Sequence, residues 1–187
     1  MPRLRFSLRT LILALVLIIV CFAVLANRVR RQQTAVFSIL NAGGAAVFSA
    51  DPLGGVSSDI ATNGDYRSHW YRSIVRVVLF PNDEHSTQSL LELTAKIPGV
   101  TQLIILPDAK FVSSSSTDLN MDSENAVTDE EIESIARLLP NLEYLSVAPA
   151  KCSMSKGAWL ESQMPSLTGS ISWRGDDGNG FLEHKFN

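Results

Sequence analysis

The sequence predicts an α/β protein, a short solenoid of few irregular helix–strand units with parallel strands, preceded by one transmembrane helix. Two repeated stretches and one apolar run carry this prediction. Apolar residues fall at Leu90, Leu93, Ile97, Val100, Leu103 and Ile105, with Pro98 among them; the same order recurs at Ile132, Ile135, Leu139, Leu142, Leu145 and Val147, with Pro140 in the matching place. Spacings of three and four mark one face of a helix, and the final spacing of two marks one face of a strand. The proline in each copy ends the helix between the two periods. Stacked helix–strand units form surfaces that serve mainly for binding.

The run from Leu11 to Ala26 carries no charge, and Thr10 and Asn27 extend the tolerable stretch by one position at each end. At 1.5 Å per residue this is about 27 Å, enough for a thin bilayer core. Arginines bracket both ends and can reach the headgroups. Val24-Leu25-Ala26 also suits a signal peptidase, but Arg28, Arg30 and Arg31 directly behind it oppose export, so an uncleaved single-pass anchor is the preferred reading. The arginines on the two sides balance, and the free amino terminus tips the expectation toward a cytoplasmic N-terminus with the C-terminal domain on the non-cytoplasmic side. The chain therefore divides into a basic tail and anchor (1–27), a juxtamembrane helix (28–44) and an α/β domain (45–187) carrying a Ser-rich acidic insertion at 111–126.

Val29, Val36, Phe37 and Leu40 place one apolar face on the juxtamembrane helix, and Gly43-Gly44 stops it. A short first strand is expected at 45–49, a polar loop at 51–64, and a strong strand at 74–80 after Trp70 and Tyr71. Alternation sets Val75, Val77 and Leu79 on one face of that strand and Arg76, Val78 and Phe80 on the other. A worn third unit follows in Trp159, Leu160, Met164, Leu167, Ile171 and Trp173, with a Gly-rich end at 175–180. Pro98 and Pro140 stand much farther apart than Pro140 and Pro165, and the polar insertion accounts for the excess.

Charge is split along the chain. The segment 1–31 holds six arginines and no acid, so ten basic side chains face all 19 acidic ones in the remainder, a net charge of −9 there. An acidic outer domain repels phosphate backbones, so nucleic acid is not expected as a partner. Cys21 lies in the apolar run and Cys152 far outside it, which makes an internal disulfide implausible; Cys152 is expected as a small, partly buried core residue.

The opening Arg5-Phe6-Ser7-Leu8-Arg9-Thr10-Leu11, the run Arg30-Arg31-Gln32-Gln33 ending in Gly43-Gly44, and the segment from Thr128-Asp129 through Leu139-Pro140-Asn141-Leu142-Glu143-Tyr144-Leu145 together resemble short membrane-anchored leucine-rich-repeat-like proteins of planctomycete bacteria. The stretch from Ile97 to Leu103 is a looser copy of the same run. The resemblance implies a leucine-rich-repeat-like fold with a binding or scaffold role, and it supplies no catalytic residues. The asparagine usual after a leucine-rich-repeat strand is absent: Pro107-Asp108 and Ala148-Pro149 stand there instead.

No catalytic constellation is legible. His69, His85 and His184 are scattered, no serine or cysteine sits in a nucleophile setting, and no glycine-rich phosphate loop is present. Asp118, Asn120, Asp122 and Glu124 alternate like calcium ligands, but Ser123 replaces the glycine of the turn and Asp129 the closing glutamate. The acids at 129–133 suit the first turn of a helix capped by Thr128. A non-enzymatic protein with no cofactor and no metal is expected. Its candidate surface is the open face of the sheet, where alternation places Arg76, Val78 and Phe80, Gln102, Ile104 and Leu106, Tyr144 and Ser146, and then Ser170, Ser172 and Arg174. Such an apolar patch with a polar rim is how interaction sites look. The expected partner is another protein, with self-association through the same face as the second reading and the membrane engaged through residues 10–27.

Overall fold

The computed structural model describes residues 8–48, 74–82, 84–106, 126–174 and 181–186. The aromatic pair Trp70 and Tyr71, His69, the loop at 51–64, the acidic string at 118–124 and the Gly-rich end at 175–180 lie outside them.

Helix α1 (Leu8–Asn41) runs without a break from the apolar segment into the domain. The most apolar 18-residue window of this helix has a mean hydropathy of 2.9 and none of it is buried, so α1 is long and apolar enough to cross a membrane. Its second half behaves differently. Gln32, Ala35, Val36 and Ile39 are buried, at the spacings of one helical face, and pack against the next helix. The helix ends in a Schellman motif: the Gly43 amide donates to the Leu40 carbonyl and the Gly44 amide to the Ile39 carbonyl at 2.9 Å, with Gly43 at φ +83°. One buried group is left over, because Gln32 is 7% exposed and its Nε2 has no partner among the described residues. Replacing it with leucine, of similar volume and no polar atom, should stabilise the fold by about 1 kcal/mol, read as a higher denaturant midpoint. An unchanged or lower midpoint would mean the amide is satisfied.

After α1 the chain lays down β1 (Ala45–Phe48), β2 (Ile74–Leu79), α2 (Thr87–Thr94), β3 (Gln102–Ile105), β4 (Val127–Thr128), α3 (Asp129–Leu138), β5 (Tyr144–Lys151), α4 (Met154–Gln163), β6 (Thr168–Arg174) and β7 (Phe181–Phe186). These strands form one seven-stranded sheet in the order β1-β2-β3-β5-β6-β7, with β4 paired to β5. β2, β3, β5 and β6 are mutually parallel, while β1 and β7 close the two edges antiparallel. The protein is thus α/β with a mostly parallel sheet. Consecutive helices touch in the order α1, α2, α3, α4, which makes a single helical layer.

The core lies between that layer and one face of the sheet. Val77, Leu79, Leu103, Ile105, Leu145, Val147 and Ile171 point into it from the strands, and Leu90, Leu91, Ile132, Ile135 and Leu160 meet them from the helices. Each such side chain, taken out of water, contributes about 1.5–3 kcal/mol. The repeated apolar positions of the sequence all fall in or against this core, with Leu93 only half-buried. Leu91, outside the repeat pattern, is fully buried as well.

Local chemistry places the helices. Ser86 caps α2, accepting from the Ser89 amide. Thr128 caps α3 in a reciprocal capping box with Glu131, whose carboxylate accepts from the Thr128 amide at 2.8 Å. Asp129, the first residue of α3, reaches to the next unit instead. Its carboxylate accepts from the amide of Ser153 at 2.9 Å and from the Ser153 hydroxyl at 3.2 Å, where α4 begins. A Thr-Asp pair thus starts one helix and ties down the start of the next.

Two features differ from the expected pattern. Ala148-Pro149 does not leave the sheet: β5 continues to Lys151 across a register shift between Val147 and Ala150, and its far end pairs with β4. A proline has no amide hydrogen to donate, and an irregularity of this kind is where a strand tolerates one. The second feature is β7, whose residues alternate too weakly to announce a strand and which exists because it pairs with β6.

Candidate functional site

The sheet face away from the helices brings most of the expected surface residues into register. Arg76, Gln102 and Tyr144 lie side by side across β2, β3 and β5, and Val78, Ile104 and Ser146 form the next row. The Arg76 Nε donates to Gln102 Oε1 at 2.7 Å, a cross-strand bond that holds the guanidinium over the sheet. Tyr144 is 36% exposed, and Val78, Ile104, Gln102, Ser146 and Leu106 are half-buried. Phe80 departs from the expectation: it is only 8% exposed, just past the end of β2, and offers little surface.

This face is chemically asymmetric. Toward β1 it is apolar, with the half-buried Ala45 and Val47 paired to Val78 and Arg76. Toward β7 it is polar, with Ser170 beside Lys185 and Ser172 beside Glu183. The Ser170 hydroxyl, then the neighbouring Lys185 at 3.3 Å, hold the Glu183 carboxyl below its ordinary value. An apolar stripe bounded by fixed polar groups can seat an apolar partner surface and orient it through Arg76 and Tyr144.

On the opposite side of the molecule the helical layer carries a groove of about 790 Å³ along α3 and α4. Pro140, Trp159 and Met164 supply its apolar lining, and Glu130, Glu133 and Arg137 its charge. Lys156 pairs with Glu133 and lies 4.5 Å from the centre of the Trp159 ring. Sequence reasoning did not isolate this groove. Its only linear signal is the spacing of Glu130, Glu133 and Arg137 along one face of α3.

The candidate reactive groups do not converge. No group of three or more His, Cys, Asp or Glu with metal-holding geometry exists among the described residues. His85 sits in the turn after β2, and His184 on β7 stands 3.4 Å from Glu161. Cys152 is a half-buried free thiol. Burial, helped by the Asp129 carboxylate, pushes it up from 9.0 to about 11. Below pH 9 its thiolate population is therefore about a hundredfold smaller than that of an exposed thiol. Iodoacetamide at pH 8 should modify Cys152 slowly in the folded chain and fast after denaturation, whereas comparable rates would show the thiol to be open. The folded state holds this proton more tightly, so the contribution is complete below about pH 9 and is lost as pH rises toward 11.

Compared with protein-family models, with curated proteins and with solved structures, the chain matches none of them. What fold and surface define is an α/β protein with a mostly parallel sheet, one helical layer and a long apolar N-terminal helix that has the character of a membrane anchor or a signal sequence.

Proposed function

We propose that the chain is a membrane-anchored protein-binding module of leucine-rich-repeat-like build, held by α1 and presenting the open face of its sheet to another protein. The observation that carries this reading is the registered pair of Val78 and Ile104, with Tyr144 in the adjacent row beside Gln102, on a sheet whose other face is already filled by helices. The resemblance of the N-terminus and of the Thr128 to Leu145 repeat to planctomycete membrane proteins supports it, and so does the unbroken α1. The arginines directly after the apolar segment favour a retained anchor over a cleaved signal. The partner is a protein with an apolar patch and an acidic or hydroxyl group to meet Arg76.

A photo-crosslinking residue at Tyr144, in native membranes, should give one discrete adduct that Ile104→Asp removes. The same probe at Glu92, exposed on α2, should give none. An adduct of twice the chain's mass would replace this reading with a self-associating envelope component. A smear unaffected by Ile104→Asp would reject the sheet face as a binding surface.

A further inference from the structure

Val24, Asn27, Arg28 and Arg31 share one face of α1, at the spacings of three, four and seven that align residues along a helix. The turn between α2 and β3 comes up against that face, and Ala95, Lys96 and Pro98 complete a groove of about 340 Å³. Its two walls belong to one packed unit, because the buried face of α1 that begins at Gln32 is docked on α2. Three cations therefore share the groove, and no carboxylate lines it among the described residues. A lysine just after a helix C-terminus is favoured by the helix dipole alone, so Lys96 by itself decides nothing. What distinguishes it is that the fold sets it in the same groove as two arginines from a distant part of the chain.

The depth of the groove matters as much as its charge. The apolar run ends at Ala26, so Asn27 to Arg31 lie within about 8 Å beyond it, which is the thickness of one headgroup layer. Val24 extends the groove back toward the acyl chains. The residues after Arg31 carry a net charge of −9, so an anionic surface repels the domain as a whole and a local basic groove offsets that repulsion.

We propose that this groove binds the phosphate of an anionic phospholipid headgroup, clamped by Arg28, Arg31 and Lys96, and so fixes how the α/β domain stands on the bilayer. The proposal rests on the anchor reading of α1. It goes beyond that reading in giving the folded domain, through Lys96, a lipid contact of its own. Arginine supplies paired donors suited to phosphate oxygens and lysine a point charge, the combination that phosphate sites use.

The test uses the full chain in nanodiscs of phosphatidylcholine mixed with phosphatidylglycerol, analysed by native mass spectrometry. The wild type should retain one phosphatidylglycerol in preference to phosphatidylcholine. Lys96→Gln should lower the retained fraction about fivefold, the share of one basic residue in headgroup attraction. Lys151→Gln, an exposed lysine on β5 outside the groove, should leave it unchanged. Equal retention in the two variants would overturn the proposal, and so would loss of the lipid to millimolar inorganic phosphate, which would identify a free-phosphate site. Alkaline carbonate extraction separates the two levels of the argument. A chain that washes off the membrane overturns both anchor and groove, whereas a chain that stays while Lys96→Gln retains its lipid overturns the groove alone.

Discussion

Gly169→Ala is expected to cost about 3 kcal/mol or more of folding stability. Gly169 sits in β6 at φ +112°, a region L side chains rarely adopt. A Cβ built there would lie 1.9 Å from the Leu145 carbonyl oxygen and 2.8 Å from its carbonyl carbon. Neither atom can yield, because both belong to the backbone of β5, the strand β6 pairs with in parallel. The change therefore either forces the two strands apart or shifts their register, and a one-residue shift would turn Ile171 and Trp173 away from the core. The denaturant midpoint measures this. Ser172→Ala, on the polar side of the same strand, is the control and should change stability by less than about 0.5 kcal/mol, as surface substitutions do. A Gly169→Ala midpoint within error of the wild type would mean that β5 and β6 are not packed at this distance.

The second large effect concerns α1. Its apolar segment contains twelve Leu, Ile, Val and Phe side chains between Leu11 and Ala26, which together favour insertion by about 4–7 kcal/mol on a translocon scale. Leu17→Arg combined with Val20→Arg places two charges near the middle and opposes insertion by about 5–7 kcal/mol. The double variant should move from the membrane pellet to the soluble fraction after alkaline extraction, while the wild type stays in the pellet at its full mass. A wild type whose sequenced N-terminus begins at Asn27 would identify a cleaved signal instead. The folded domain should survive either change, because no residue of α1 before Gln32 is buried in it.

Legibility varied with how local the physics was. Where a feature depends on neighbours within one turn, the sequence announces it. Thr128 reads as the cap of a helix with an acidic first turn, and it caps α3. Gly43-Gly44 reads as a helix stop and closes a Schellman motif. The proline-interrupted repeats read as helix then strand, and their apolar positions are those of the core. For the candidate surface, strict alternation places Arg76, Val78, Gln102, Ile104, Tyr144 and Ser146 on one face, because side chains of a regular strand cannot do otherwise. Alternation lapses at the end of β2, and there Phe80 is buried.

Features that depend on distant segments stay silent. β7 is a strand because β6 offers it an edge, and nothing in Leu182, Glu183, His184 and Lys185 marks it beforehand. Asp129 reads as one more acid in a first turn, yet its carboxylate secures the start of α4, 24 residues on. Gly169 is not singled out by any local pattern, and only the carbonyl of Leu145 against it shows why no side chain fits. No local pattern marks Lys96, and only α1 brings Arg28 and Arg31 beside it. By itself, then, the sequence determined the repeated helix–strand units, the cap at Thr128, the helix stop at Gly43-Gly44 and the apolar helix at the front, since periodicity and capping act within a few residues. Only the tertiary structure decided the strand order, the antiparallel edges, the closeness of β5 and β6 and the basic groove against α1. Those are set by contacts between segments far apart in the chain, and no local pattern encodes which segments will meet.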